Sequence, residues 1–145
     1  MLKQRIVTAA WLAPLALFGL FGLEGVGFHL FTAAIVLLAA WEWANLAGLT
    51  SSLHRLYPVA GLAVLMALCW STGVLQSAWP LWLGVLGWLV NLYWVIGYPD
   101  RLSQWRPTGM RLAMGLWVLL PTWVGFSVLR GEGAVWLLFV LLLVW

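Results

Sequence analysis

The sequence predicts an all-α fold, a polytopic helical membrane protein, and composition and patterning together carry that prediction. Of 145 residues, 65% are hydrophobic and only 8% charged, with a mean hydropathy of +1.02. A soluble domain has about 25% charged residues, and a chain this short has no interior large enough to hide so much apolar surface. The apolar residues also fall into runs of roughly twenty, the length a helix needs to cross a bilayer. Glycines, prolines and charges separate the runs. This excludes a secreted disulfide scaffold, a disordered tail, a nucleic-acid-binding domain and an ordinary cytosolic enzyme. About six spans with short loops fill the whole length, so residues 1–145 read as one transmembrane helical domain.

The first span runs from about Ile6 to Leu23 and is closed by Glu24-Gly25. It is longer than the h-region of a signal peptide, which has about 7–15 residues, and more spans follow it. Lys3 and Arg5 precede it. They read as topology anchors in contact with anionic lipid and as candidates to hold a lipid phosphate. Pro14 predicts a kink.

The second span, about Val26 to Leu49, is the most informative. Ala40, Ala44 and Gly48 recur every four residues and form a stripe of small side chains for close helix packing. Glu42 and Asn45 lie on roughly the opposite face and are candidate lipid-headgroup contacts. Glu42 has two open readings. It lines a cavity or holds a partner, or it sits at the interface bonded to a neighbouring helix or headgroup water. His29 near the start of this span and His54 in the next loop have no Cys, Asp or Glu at metal-ligand spacing.

The third span covers about Leu56 to Leu75 and holds the single cysteine, Cys69, as a small buried hydrophobe. The fourth covers about Trp79 to Tyr98. Trp79 and Trp82 at one end, and Tyr93, Trp94 and Tyr98 at the other, read as interfacial belts. Asn91 is expected to donate a hydrogen bond between helices. The basic loop from Pro99 to Arg111 leads into a fifth span, about Met110 to Leu129, kinked at Pro121. A sixth begins near Gly133 and reaches Trp145 after only 13 residues, roughly 20 Å of helix against a hydrocarbon core of about 30 Å. The expectation is five full spans and a truncated sixth, the front part of a longer protein.

Charge sets the orientation. Lys3, Arg5, Arg55, Arg101, Arg106 and Arg111 fall on one side, Arg130 on the other. The positive-inside rule places the N-terminus, the Arg55 loop and the loop from Pro99 in the cytoplasm. No catalytic residue and no metal ligand is assigned. With one Lys and one Asp in the chain, paired-aspartate metal chemistry is excluded. No phosphate loop, zinc motif or nucleophile elbow is present.

Three stretches nevertheless resemble one family. Leu2-Lys3-Gln4-Arg5-Ile6-Val7-Thr8-Ala9, with Pro14 six residues after Thr8, is similar to the N-terminus of bacterial phosphatidate cytidylyltransferases (CDP-diacylglycerol synthases). So are Ala40-Trp41-Glu42-Trp43-Ala44-Asn45-Leu46-Ala47-Gly48 and the run from Arg111 to Pro121. The resemblance spans the whole chain. It implies the reaction CTP + phosphatidate → CDP-diacylglycerol + pyrophosphate in phospholipid biosynthesis, with magnesium, in the bacterial cytoplasmic (inner) membrane. The family's motif of a Lys-Asp pair, a His-Gly-Gly and a closing Asp-Arg-x-Asp is absent, and Asp100-Arg101-Leu102-Ser103 lacks its second Asp. The resemblance therefore implies the N-terminal membrane part of such an enzyme, inactive alone, with magnesium held by residues outside this chain. Expected partners are the bilayer, phosphatidate and CTP, but not nucleic acid; a homodimer is left open. The alternative is a stand-alone multi-span protein: a transporter subunit, an assembly factor or a lipid-binding module.

Overall fold

Each apolar run becomes helix. The computed structural model describes the backbone of residues 2–144 and the side chains of residues 7, 10–140 and 142–143. Seven α-helices follow in order: α1 (Leu2–Leu17), α2 (Gly25–Leu46), α3 (Ser52–Ser71), α4 (Trp79–Ile96), α5 (Leu102–Trp105), α6 (Thr108–Glu132) and α7 (Ala134–Val144). A π-helical turn, Phe18–Gly22, extends α1, and a 3-10 turn, Val74–Gln76, joins α3 to α4. The described residues contain no strand.

Four helices, α2, α3, α4 and α6, are long and apolar enough to cross a membrane. The first expected span is divided between α1 and the π turn, and its apolar stretch, Ala10–Gly22, is shorter than those four. Chain direction alternates through the long helices. Trp43 of α2 meets Arg111 of α6, whereas His29 at the start of α2 meets Ser127 near the end of α6. The bundle thus has an arginine-rich end, where α2 and α4 finish and α3 and α6 begin, and an opposite end around His29.

Helix α6 is the centre, packed against α2, α3, α4 and α7. The main core gathers Val36 and Ala40 of α2, Leu62 and Met66 of α3, Leu75, and Trp123 and Val124 of α6. A smaller cluster of Leu20, Phe28 and Leu137 ties the π turn and α7 to α2. Between helices in lipid, close van der Waals packing does the holding, and small residues permit it. The α4–α6 seam shows this: Gly84 faces Pro121, Gly87 faces Trp117, and Asn91 and Trp94 continue the same buried face. Trp94 is therefore not interfacial as expected. It is buried, stacks on Trp117 with ring centroids 6.2 Å apart, and donates to Gln104 Oε1 at 2.9 Å. The Asn91 bond runs opposite to expectation, with Trp117 Nε1 donating to Asn91 Oδ1 at 3.4 Å. Trp79, Trp82, Tyr93 and Tyr98 are exposed, as a belt requires.

Two boundaries move. Helix α3 begins at Ser52, so His54 and Arg55 belong to its first turn and not to a loop. Helix α2 ends at Leu46, before Gly48. Gly48 adopts φ +101°, donates its N–H to the Asn45 carbonyl at 3.0 Å, and Leu49 N–H reaches back to Ala44 at 3.0 Å. This is the Schellman arrangement, with glycine just past the helix end. Gly48 therefore does not extend the small-residue stripe, which consists of Ala40, Ala44 and Ala47, all buried. Gly48→Ala is expected to lower the unfolding free energy by roughly 1–2 kcal/mol, because a Cβ is strained at positive φ. Denaturant titration in detergent, followed by circular dichroism, measures it.

Candidate functional site

The arginine-rich end is where the polar groups converge. Arg55, in the first turn of α3, reaches back over the α2–α3 turn. Its Nε donates to the Leu49 carbonyl at 2.7 Å, and Nη2 donates to Asn45 Oδ1 at 2.7 Å and the Thr50 carbonyl at 3.2 Å. Its guanidinium also lies 5.6 Å from the centroid of the Trp41 ring, a cation–π distance. Asn45 and the two turn carbonyls thus hold the Arg55 charge in place.

Arg111, in the first turn of α6, faces the same turn. Its Nη1 reaches the Leu46 carbonyl at 3.4 Å, a long and weak bond. Its Nε is buried without a hydrogen-bond partner among the described residues. The backbone around it is fixed more firmly: Trp43 Nε1 donates to the Arg111 carbonyl at 2.7 Å. One turn on, Gly115 makes room for the Trp43 indole, since a Cβ there would lie 2.5 Å from the ring. Arg101 stacks on Tyr93, 3.7 Å from the ring centroid, and donates to the Tyr93 carbonyl at 2.7 Å. Among the described residues, none of Arg55, Arg101, Arg106 and Arg111 has a carboxylate within ion-pair distance; the ion pair at the opposite end is Arg130 with Glu24, at 4.0 Å.

Below Arg55 and Arg111 the bundle wall opens into an apolar groove of about 560 Å³ between α3 and α6. Ala40 and Trp43 of α2 form its floor; Pro58 and Leu62 on one side, and Leu112 and Leu116 on the other, line its walls. At the opposite end lies a more polar pocket of about 380 Å³ lined by His29, Gln76, Ser127 and Glu132. There His29 Nδ1 and Ser127 Oγ are 3.1 Å apart and the imidazole meets Trp70 edge-on. The fold brings Glu132 to this pocket, although it is over a hundred residues from His29 in sequence.

The expected site residues separate. Asn45 joins the Arg55 cluster. Glu42 is exposed and forms no hydrogen bond or ion pair with the described residues. Lys3 and Arg5 belong to α1, but their side chains lie outside the described residues. Ala40 and Ala44 are buried. The sequence reading missed Arg55, Trp43 and Arg111 as partners in one place. The signals present were the ten-residue spacing of Asn45 and Arg55 across a turn, and a glycine, Gly115, four residues after Arg111. Among the described residues no three His, Cys, Asp or Glu side chains gather.

The arrangement is an apolar slot that opens on the outer face of the bundle beside a cluster of arginines, a shape and chemistry that suit an amphipathic molecule with an anionic head. The model of the cytidylyltransferase family matches residues 3–145. The chain belongs to the cytidylyltransferase family. A phosphatidate cytidylyltransferase from Pseudomonas aeruginosa is 44% identical over 130 residues, covering 90% of this chain and 48% of that protein. A phosphatidate cytidylyltransferase from Haemophilus influenzae is 30% identical over 164 aligned positions, covering 100% of this chain and 57% of that protein. The chain spans about half the length of these curated relatives. No solved structure matches it significantly. Four membrane-length apolar helices and bacterial family members mark an integral membrane protein.

Proposed function

We propose that this cytidylyltransferase-family chain forms the membrane-embedded, lipid-facing part of a phosphatidate cytidylyltransferase, which turns CTP and phosphatidate into CDP-diacylglycerol and pyrophosphate. The observation that carries the reading is the 44% identity to a relative of that name across 90% of the chain. Its place is the bacterial inner membrane, with the N-terminus and the arginine-rich end in the cytoplasm. That orientation rests on the six-to-one distribution of Lys and Arg between the two sides. In it, α1 with its π turn makes a fifth crossing and α7 begins a sixth. Lys3, Arg5, Glu42 and Asn45 stand at the headgroup level, Asn45 through its hold on Arg55.

These 145 residues carry one Lys and one Asp and no gathered set of metal donors among those described. We therefore assign them lipid binding and helix scaffolding, with the nucleotide and its metal handled by residues other than these. A graft tests the proposal. Installing these residues in place of the matching segment of the Pseudomonas relative is expected to preserve CTP-dependent conversion of phosphatidate, assayed in membranes with labelled CTP. A graft that inserts normally but makes no CDP-diacylglycerol would count against the family role. Conversion by the 145-residue chain alone would overturn the division of labour.

A further inference from the structure

We propose that the groove between α3 and α6 seats one acyl chain of an anionic glycerophospholipid, with its phosphate between Arg111 and Arg55. The proposal needs only the membrane setting and does not rest on cytidylyl transfer. Three features point to this occupant.

The first is the shape and chemistry of the slot. Its volume of about 560 Å³ falls in the range of roughly 300–1,000 Å³ typical of ligand pockets. It opens on the outer face of the bundle, where Val64 and Leu116 are 60% and 40% exposed. Its walls are almost wholly apolar. An extended peptide lying there would leave its N–H and C=O groups unpaired in hydrocarbon, whereas a fatty chain has no polar group to satisfy.

The second feature is charge complementarity at one end. Arg55 lies three residues before Pro58 on the α3 wall, and Arg111 immediately precedes Leu112 on the α6 wall. Neither is neutralised by a carboxylate among the described residues. Among the described residues Arg111 Nη1 makes only the 3.4 Å bond to Leu46 and its Nη2 makes none, while its Nε is enclosed by protein without a partner. A guanidinium with spare donors matches a phosphate oxygen pair. Arg55 is fixed by Asn45 and the turn carbonyls, so its positive charge stays at the mouth of the slot.

The third feature is a gap in the wall. Gly61, inside α3, lines the groove, and a Cβ placed on it meets nothing within 4 Å. A glycine there keeps the slot open, and a larger side chain has free space to grow into it without disturbing the helix.

The test counts lipids. The purified chain, in a neutral detergent, is offered equal amounts of dioleoyl phosphatidylglycerol and dioleoyl phosphatidylcholine, and retained lipid is read by native mass spectrometry. The unaltered chain is expected to keep one phosphatidylglycerol in preference to phosphatidylcholine. Gly61→Leu should lower lipid retention about tenfold. Arg111→Gln should still retain lipid but lose about fivefold of its preference for the anionic headgroup. Circular dichroism and thermal unfolding check that each variant folds, and Ala113→Leu, on the opposite wall, serves as a second blocking variant. The proposal is overturned if the unaltered chain shows no headgroup preference, if both blocking variants retain lipid normally, or if Arg111→Gln leaves the preference unchanged. It is also overturned if the blocking variants abolish a dimer mass while lipid stays bound, because a second copy would then be the occupant.

Discussion

Trp123→Ala is expected to lower the unfolding free energy by about 3–5 kcal/mol, the largest loss from any single truncation among the described residues. Trp123 is 1% exposed and shares one core cluster with Val36, Leu62, Met66 and Leu75, side chains from α2, α3 and the turn before α4. In hydrocarbon the removed ring cannot be replaced by water, and its neighbours lose their contacts outright. The indole Nε1 also donates to the His29 carbonyl at 3.3 Å, a bond that alanine deletes. Trp123→Phe keeps most of the volume and should cost about 1–2 kcal/mol. Trp82→Ala, at a position 69% exposed, should stay within about 0.5 kcal/mol. Denaturant titration in detergent ranks the three. A loss below 1 kcal/mol for Trp123→Ala would remove α6 from the centre of the bundle.

Gly87→Val should be the second most damaging substitution, and by the opposite mechanism. A Cβ at Gly87 would lie 2.6 Å from Trp117 Cδ1, closer than non-bonded carbons approach. The ring has little room to retreat, since Trp94 stacks on it from α4. Either the helices part or Trp117 turns away from Asn91, which leaves the amide buried and unpaired. Overpacking of this kind costs about 1–3 kcal/mol, and the orphaned amide adds about 1–3 kcal/mol. Gly61→Ala is the control: open space around it means the gain in helix propensity should stabilise the chain by about 0.5–1 kcal/mol. If Gly87→Val and Gly61→Ala unfold at the same denaturant concentration, the α4–α6 seam is wrong.

Much of this architecture was legible in composition and spacing. Runs of apolar residues and the punctuation between them located the long helices, because a bilayer demands a minimum length and leaves backbone groups no partner but the helix itself. Helix α4 begins at Trp79, and Pro80 suits the first turn of a helix. The end of α2 and the start of α3 lie away from the expected places for one reason: hydropathy does not register a turn that closes on its own backbone. Gly48 looked like a packing residue by its four-residue spacing, yet it terminates the helix. Among the candidate site residues, Asn45 stands out in the sequence as a polar group in an apolar span, but its bond to Arg55 does not. Arg55 was counted as a topology charge, and only the reversal of the chain between α2 and α3 brings the two together. The pairing of Arg111 with Trp43 is not legible for the same reason, the two being 68 residues apart in sequence.

The α4–α6 seam also fixes an order of events during synthesis. The buried face of α4, with Gly84, Gly87, Asn91 and Trp94, meets a helix that follows it in the chain. Until the ribosome has delivered Pro121, that face has no protein to rest on, and Asn91 has no indole donor. The α2–α3 hairpin can close on itself much earlier. The nascent chain is therefore expected to enter the bilayer as one settled pair and one waiting helix, which the arrival of α6 joins into a single body.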